Sequence, residues 1–259
     1  MTRISGAEGA GGAAGARPWR LLGVLRADRA DATKDLDQVL VTASGPVAAA
    51  LVRHDEGSGV RANLSEHASL VERVHALTAF LPARYGILVR EPGDVVSALL
   101  DPNRDAFEAL LADVHGRDEV RVRVYQVEQA ALEQVAATDS GIVQLRAAMR
   151  DLGEEAPTGL RLELGERVAG ALAALAEADA ALVLDTLRPL TVAVRGGGPA
   201  SGSLVLDASF LVDRARATAF DQAVGRLIER LGGRAEVRAV GPLPPYSFAE
   251  PVLPREEAA

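Results

Sequence analysis

The chain has 259 residues, 48% hydrophobic and 25% charged, with no cysteine and a formal net charge of -8. These are globular proportions, and the length suits two domains of ordinary size. The missing cysteine excludes disulfide frameworks and thiolate chemistry, and the acidic balance argues against nucleic acid as a partner. Basic residues are almost all arginine, with Lys34 the only lysine. No run approaches the ~18 apolar residues of a membrane span, and the N-terminus lacks the basic flank and apolar stretch of a signal peptide, so a cytoplasmic protein without a membrane span is expected.

Residues 1–16 are rich in glycine and alanine and read as a flexible leader, because they have too little apolar surface to repay ordering. Trp19 to Leu25 reads as a first strand, and Val39 to Ala43 and Val47 to Val52 as two more around a Ser44-Gly45-Pro46 turn. Asn63 with Glu66 resembles a capping box, and Leu64, Ala68, Val71, Val74, Thr78 and Leu81 follow at helical spacing until Pro82. Arg84 to Val89 reads as a short strand. Val95 to Leu100 and Phe107 to Val114 read as helical pieces about Asp101-Pro102-Asn103.

In Glu119 to Val127, Val120, Val122 and Val124 alternate with Arg121, Arg123 and Tyr125, the pattern of a half-buried strand. A helical region runs on to about Leu187, broken at 153–159. Leu190 to Val194 and Leu204 to Val212 read as strands, Ala215 to Leu231 as a helix and Ala235 to Val240 as a last strand. From Glu119 onward the order is that of a ferredoxin-like βαββαβ sandwich with an extended helical crossover, whereas the first half is α+β of less regular order. The predicted organisation is a leader (1–16), an N-terminal domain (17–116), a C-terminal domain (117–248) and a tail (249–259).

Motifs for chemistry are missing. His54, His67, His75 and His115 have no metal-binding spacing and read as surface or helix-end residues. Asp101 to Asp105 opens like a calcium loop, but Ala106 and Ala112 stand where glycine and glutamate are required. Gly196-Gly197-Gly198 lacks the remainder of a P-loop and reads as a hairpin loop. No GxSxG elbow is present. Two stretches stand out as contact surfaces. One is the stripe Arg121, Arg123, Tyr125, which either meets a partner or packs as an ordinary charged strand face. The other is Gly241-Pro242-Leu243-Pro244-Pro245-Tyr246-Ser247-Phe248, where Tyr246 and Phe248 either touch a partner or pin the chain back onto the body.

The ending GPLPPYSF closely resembles the GPWPPYSF signature of the gas vesicle protein L/F family. Phe80 to Gly86 (FLPARYG) is similar to that family's LPLRFGT element. Glu119 to Tyr125, after Gly116, looks like its strand following Gly-x-x-Glu, and Ala208 to Asp213 resembles its AFLVD strand end. Leu243 and Ile87 depart from the family's usual tryptophan and threonine, and the first strand lacks the tyrosines commonly found there. The resemblance spans roughly residues 19–248. It implies two α+β domains, the N-terminal one a modified ferredoxin-like domain. It further implies a non-enzymatic assembly or minor structural protein of the gas vesicle, without cofactor or metal, whose partners are the small hydrophobic shell protein and other accessory proteins. The matching motifs concentrate at Arg84, Tyr85, Arg121, Arg123, Tyr125, Tyr246 and Phe248, which are the expected partner-binding residues. From the residues alone, a ferredoxin-like ligand-binding or regulatory module stays open as a second reading, and an enzyme as a third.

Overall fold

The computed structural model describes residues 17–55, 57, 59–152, 157–197 and 202–249. The expected leader, residues 250–259 of the expected tail and Gly198 lie outside them. The elements are β1 (Trp19–Arg26), β2 (Val39–Ser44), β3 (Val47–Arg53), α1 (Val60–Leu77), β4 (Phe80–Pro82), β5 (Leu88–Val89), α2 (Pro92–Val95), α3 (Arg104–Asp113), β6 (Arg117–Gln126), α4 (Glu128–Thr138), α5 (Ser140–Leu152), α6 (Thr158–Leu187), β7 (Ala193–Gly196), β8 (Leu204–Asp213), α7 (Ala217–Leu231), β9 (Ala235–Leu243) and α8 (Tyr246–Ala249). The protein is α+β, with one five-stranded and one four-stranded sheet.

The chain divides into two compact units. The described residues up to Glu119, together with those from Pro242 onward, form the first, and Val120–Gly241 form the second. Residues 242–249 thus return to the first unit, although the sequence placed them with the C-terminal domain. The cause is apolar and polar anchoring: Phe248 and Ala249 are buried, and Ser247 is bonded to Glu119.

In the first unit the strands run β2-β3-β1-β4, with β5 also on β1. β2 and β3 form a hairpin in which Ser44 faces Val47. Gly45 takes a φ of +58° and Pro46 supplies the negative φ that follows it in a tight hairpin turn. β3 is buried from Val47 through Val52, as expected of a strand covered on both faces. Ala48, Ala50 and Val52 pack with Leu70, Val71 and Val74 of α1, and alternation sends Ala49 and Leu51 to the other face, which α3 covers. β1 carries a bulge between Leu21 and Gly23.

α1 starts and stops differently from its sequence prediction. Gly59 is the N-cap, not Asn63, which lies inside the helix and gives its side chain to tertiary contacts. The helix ends when Thr78 turns extended, so Phe80 to Pro82 becomes a strand on β1. The backbone groups freed there are taken up by the sheet, an outcome that helical spacing up to Leu81 could not reveal. Of the predicted strand Arg84 to Val89, only Leu88 and Val89 pair.

The second unit has strand order β7-β8-β6-β9. One sheet face carries Val122, Val124, Leu206, Ala208, Phe210 and Val212, which pack against Val183 and Leu187 of α6 and Phe220, Val224, Leu227 and Leu231 of α7. β7 begins only at Ala193, because Arg188 to Leu190 form a 3-10 turn containing Pro189. Arg234 ties the entry of β9 to α6 through Asp179, which is almost fully buried, and also donates to the Arg230 and Leu231 carbonyls at the end of α7.

Candidate functional site

In the second unit, the β6 alternation that buries Val122 and Val124 puts Arg121, Arg123 and Tyr125 on the opposite sheet face. Arg121 grips Asp207 of β8 with two parallel bonds, Nε to Oδ1 at 2.7 Å and Nη2 to Oδ2 at 2.6 Å, and Arg123 Nε lies 3.3 Å from the same Oδ2. The Arg121 hydrogen bond, assisted by both positive charges, holds the Asp207 carboxyl below the usual carboxylate range. One carboxylate therefore orders two guanidinium groups, each side chain still more than 40% exposed. On the other flank, Arg238 of β9 sits over the Tyr125 ring at 4.8 Å and is itself clamped by Glu236. The result is a strip of preorganised arginines and one half-buried phenol across three strands. Sequence reasoning found the three β6 residues but missed Asp207, Glu236 and Arg238. The alternation of β8 was the available signal for Asp207, which interrupts Leu206, Ala208 and Phe210.

Arg84 and Tyr85 follow β4 in the first unit. Arg84 is exposed. Tyr85 is half-buried between Arg20, whose guanidinium carbon lies 5.4 Å from the ring centre, and His67, whose ring meets it edge-on at 5.7 Å. Arg20 is fully buried. It donates to Asn63 Oδ1 at 3.0 Å and to Glu66 Oε2 at 2.5 Å, and His54 Nδ1 lies 3.4 Å away. His67 Nε2 is 2.9 Å from the Ala83 carbonyl oxygen, and burial pushes its pKa down to about 4, so the imidazole is neutral and donates that bond. Three of the four histidines are buried: His75 lies in the last turn of α1, as a helix-end residue would, whereas His54 and His67 are neither surface nor helix-end residues. Arg20 lies on β1, which is buried from Arg20 to Leu25, and its positive charge adds to burial in keeping His67 neutral.

Tyr246 and Phe248 sit on the short α8. Phe248 is buried and Tyr246 packs on the first unit's core, where burial pushes its phenol up to about 12. Between them, the Ser247 backbone N–H and hydroxyl both donate to Glu119, each at 2.8 Å, and Glu119 is 4% exposed. The prolines before them deliver the chain in extended form. Of the two roles open to these aromatics, the pinning one matches their placement.

A cleft of about 510 Å³ lies at one end of the first sheet, lined by Trp19, Asp37, Val39, Val52, Arg53 and Glu66 among others. Arg53 covers the Trp19 ring at 3.8 Å. Among the described residues there is no group of three or more histidine, aspartate or glutamate side chains able to hold a metal, and no helix long and apolar enough to cross a membrane.

Taken together, these features define an α+β protein of two sheet-centred units whose charged side chains are paired along strand faces. The chain belongs to the gas vesicle synthesis protein GvpL/GvpF family, whose model matches residues 23–250, and it is thereby a gas-vesicle-associated protein. Gas vesicle protein F of Streptomyces sp. (strain CB03234) is 33% identical over 190 residues, covering 73% of this chain and 78% of that one. Gas vesicle protein F of Nostoc sp. (strain PCC 7120 / SAG 25.82 / UTEX 2576) is 26% identical over 192 residues, covering 73% and 78%. The fold is similar to the crystal structures of GvpF from Anabaena sp. PCC7120 and from Microcystis aeruginosa. The first has a TM-score of 0.74 at 22% identity, covering 91% of this chain and 99% of that one. The second has a TM-score of 0.70 at 20% identity, covering 90% and 99%.

Proposed function

We propose that this protein is a non-enzymatic assembly or minor structural component of the gas vesicle in the cytoplasm, which binds the small hydrophobic shell protein and other accessory proteins. The single observation that carries the contact surface is the Arg121–Asp207–Arg123 ladder beside Tyr125. Its guanidinium groups are ordered before any partner arrives, so docking there loses little side-chain entropy. Arginine and tyrosine are also the residue types that interfaces favour. Arg84 adds a second exposed contact in the first unit, whereas Tyr85, Tyr246 and Phe248 act by holding that surface in shape. A binder of this kind would cover the apolar face of unassembled shell subunits, which is otherwise an aggregation hazard.

The second unit is best described as ferredoxin-like. The order strand, helices, strand, strand, helix, strand, with β6 between β8 and β9, supports that description. The first unit would then be a modified ferredoxin-like counterpart, and the two units would be separate functional domains.

Capture of purified shell protein on immobilised protein tests the assignment. Wild type and Tyr85→Phe should retain it, and Arg123→Ala should lose most of the capture while its thermal midpoint stays within about 2 °C of wild type. A folded wild type that retains no shell protein removes the reading. The cleft beside Trp19 favours one alternative, a ligand-binding module. Trp19 is the only tryptophan, so a metabolite that quenches or shifts its emission on binding would support that alternative.

A further inference from the structure

β2 is an edge of the first sheet, and its outer side is chemically unprotected. The strand reads VLVTAS, with no charge and no proline. Edges of this kind are usually blunted with charge, proline or a bulge, because their unpaired backbone groups recruit another strand. Which groups point outward follows from two bonds. His54 N–H, one residue past β3, donates to Pro18 on the β1 side, so by alternation Leu51, Ala49 and Val47 direct their backbone groups toward β2. Their partners Leu40, Thr42 and Ser44 are then occupied, and Val39, Val41 and Ala43 face away. In agreement, Val39 N–H turns outward to the Leu36 carbonyl. Among the described residues, no partner strand lies beyond β2 in the sheet.

The charges at the two ends of this edge are complementary. Asp37, just before β2, is exposed, and no described residue pairs with it. At the far end, Arg104 lies over the Gly45 turn: a Cβ on Gly45 would be 3.3 Å from its Nε. Its Nη2 donates to Ser44 and to Asp101, and no described residue takes Nη1.

We propose that β2 pairs antiparallel with β2 of a second copy of this chain, about a twofold axis through Val41. In that register the two Val41 residues exchange N–H···O=C bonds, and Ala43 N–H of each copy donates to the Val39 carbonyl of the other. Leu40, 37% exposed in the single chain, comes to lie beside Thr42 of the second copy. The same symmetry carries Asp37 of each copy to the level of Gly45 of the other, where Arg104 Nη1 is available. An isologous contact needs this self-complementarity, which a strand with like charges at both ends would lack. A pairing of six-residue strands is small, so the association is weak and becomes measurable in the range of about 10–500 µM.

Sedimentation velocity across that range, on the full chain, tests the pairing with three variants. Ala43→Pro removes an outward donor without touching the β2–β3 ladder, and Asp37→Arg reverses one end of the edge. Each should raise the concentration of half-association by about tenfold or more. Asp37→Arg combined with Arg104→Glu should restore most of what Asp37→Arg alone loses, and circular-dichroism melting checks that each variant is folded. A wild type that stays monomeric throughout overturns the proposal, as does a dimer indifferent to all three variants. Protection of the Val41 and Ala43 amides from hydrogen exchange that appears only with added shell protein, and not with rising concentration of the chain alone, would assign the edge to that partner and equally overturn self-pairing.

Discussion

Glu119 and Ser247, 128 positions apart in the chain, are joined by two hydrogen bonds to one carboxylate, one from the serine backbone and one from its hydroxyl. Both donors are partly buried, so removing the acceptor strands them. Glu119→Ala should lower the unfolding free energy by about 2–3 kcal/mol, read from the urea midpoint. It should also expose the segment after Pro245 to proteases before the rest of the fold. A loss below about 0.5 kcal/mol would mean that Tyr246 and Phe248 fasten the segment without it.

The Arg20–Glu66 pair predicts an asymmetry. Glu66→Ala leaves a fully buried guanidinium without its countercharge and should cost about 3 kcal/mol. Arg20→Met leaves a carboxylate that is 38% exposed and can hydrate, so it should cost clearly less. Chemical denaturation of both variants gives the comparison, and equal losses would show that packing of Arg20, not charge, dominates.

Stability should fall on mild acidification because of His67. Its folded pKa of about 4 lies below the ordinary 6.5. Between those values the unfolded chain binds a proton that the folded chain refuses. The contribution is therefore complete above pH 6.5, lost as pH falls to about 4, and worth on the order of 3 kcal/mol. Urea unfolding of wild type and His67→Gln at pH 7.5, 6 and 5 should show the steeper decline in wild type. Parallel curves would place the acid sensitivity elsewhere.

Gly23 tolerates no side chain. A Cβ there would come within 2.2 Å of the Leu81 carbonyl and 2.5 Å of the Phe80 ring, at a φ of +154°. Gly23→Ala should cost about 3 kcal/mol or prevent accumulation of folded protein, judged by yield and thermal midpoint. Gly165→Ala, in open space on α6, should be neutral or slightly stabilising.

The parts of this fold readable in the sequence are those governed by local pattern. β6 showed itself through strict alternation of valine with arginine or tyrosine, and the β2–β3 hairpin through the Gly45-Pro46 turn between apolar runs. The same logic failed at Leu77 to Pro82, where helical spacing continues although the chain has already turned extended to join β1. It failed at Arg20 for a different reason. A buried arginine is tolerated only because Glu66, Asn63 and Tyr85 converge on it from two other segments, and no local window contains that information. Likewise, Arg121 and Arg123 were visible as a stripe, but the carboxylate that organises them, Asp207, lies 86 residues away from Arg121. Tyr246 and Phe248 were noticed for their rarity, and only their packing separates an anchor from a docking surface.

The nesting of Val120–Gly241 between the two parts of the first unit sets a timetable for a chain emerging from the ribosome. At ~5–20 residues per second the inserted segment takes roughly 6–25 s to synthesise, and throughout that interval Glu119 waits for a serine that does not yet exist. The inserted unit can complete itself first. The earlier-made one is completed only when Tyr246 and Phe248 arrive to pack on it.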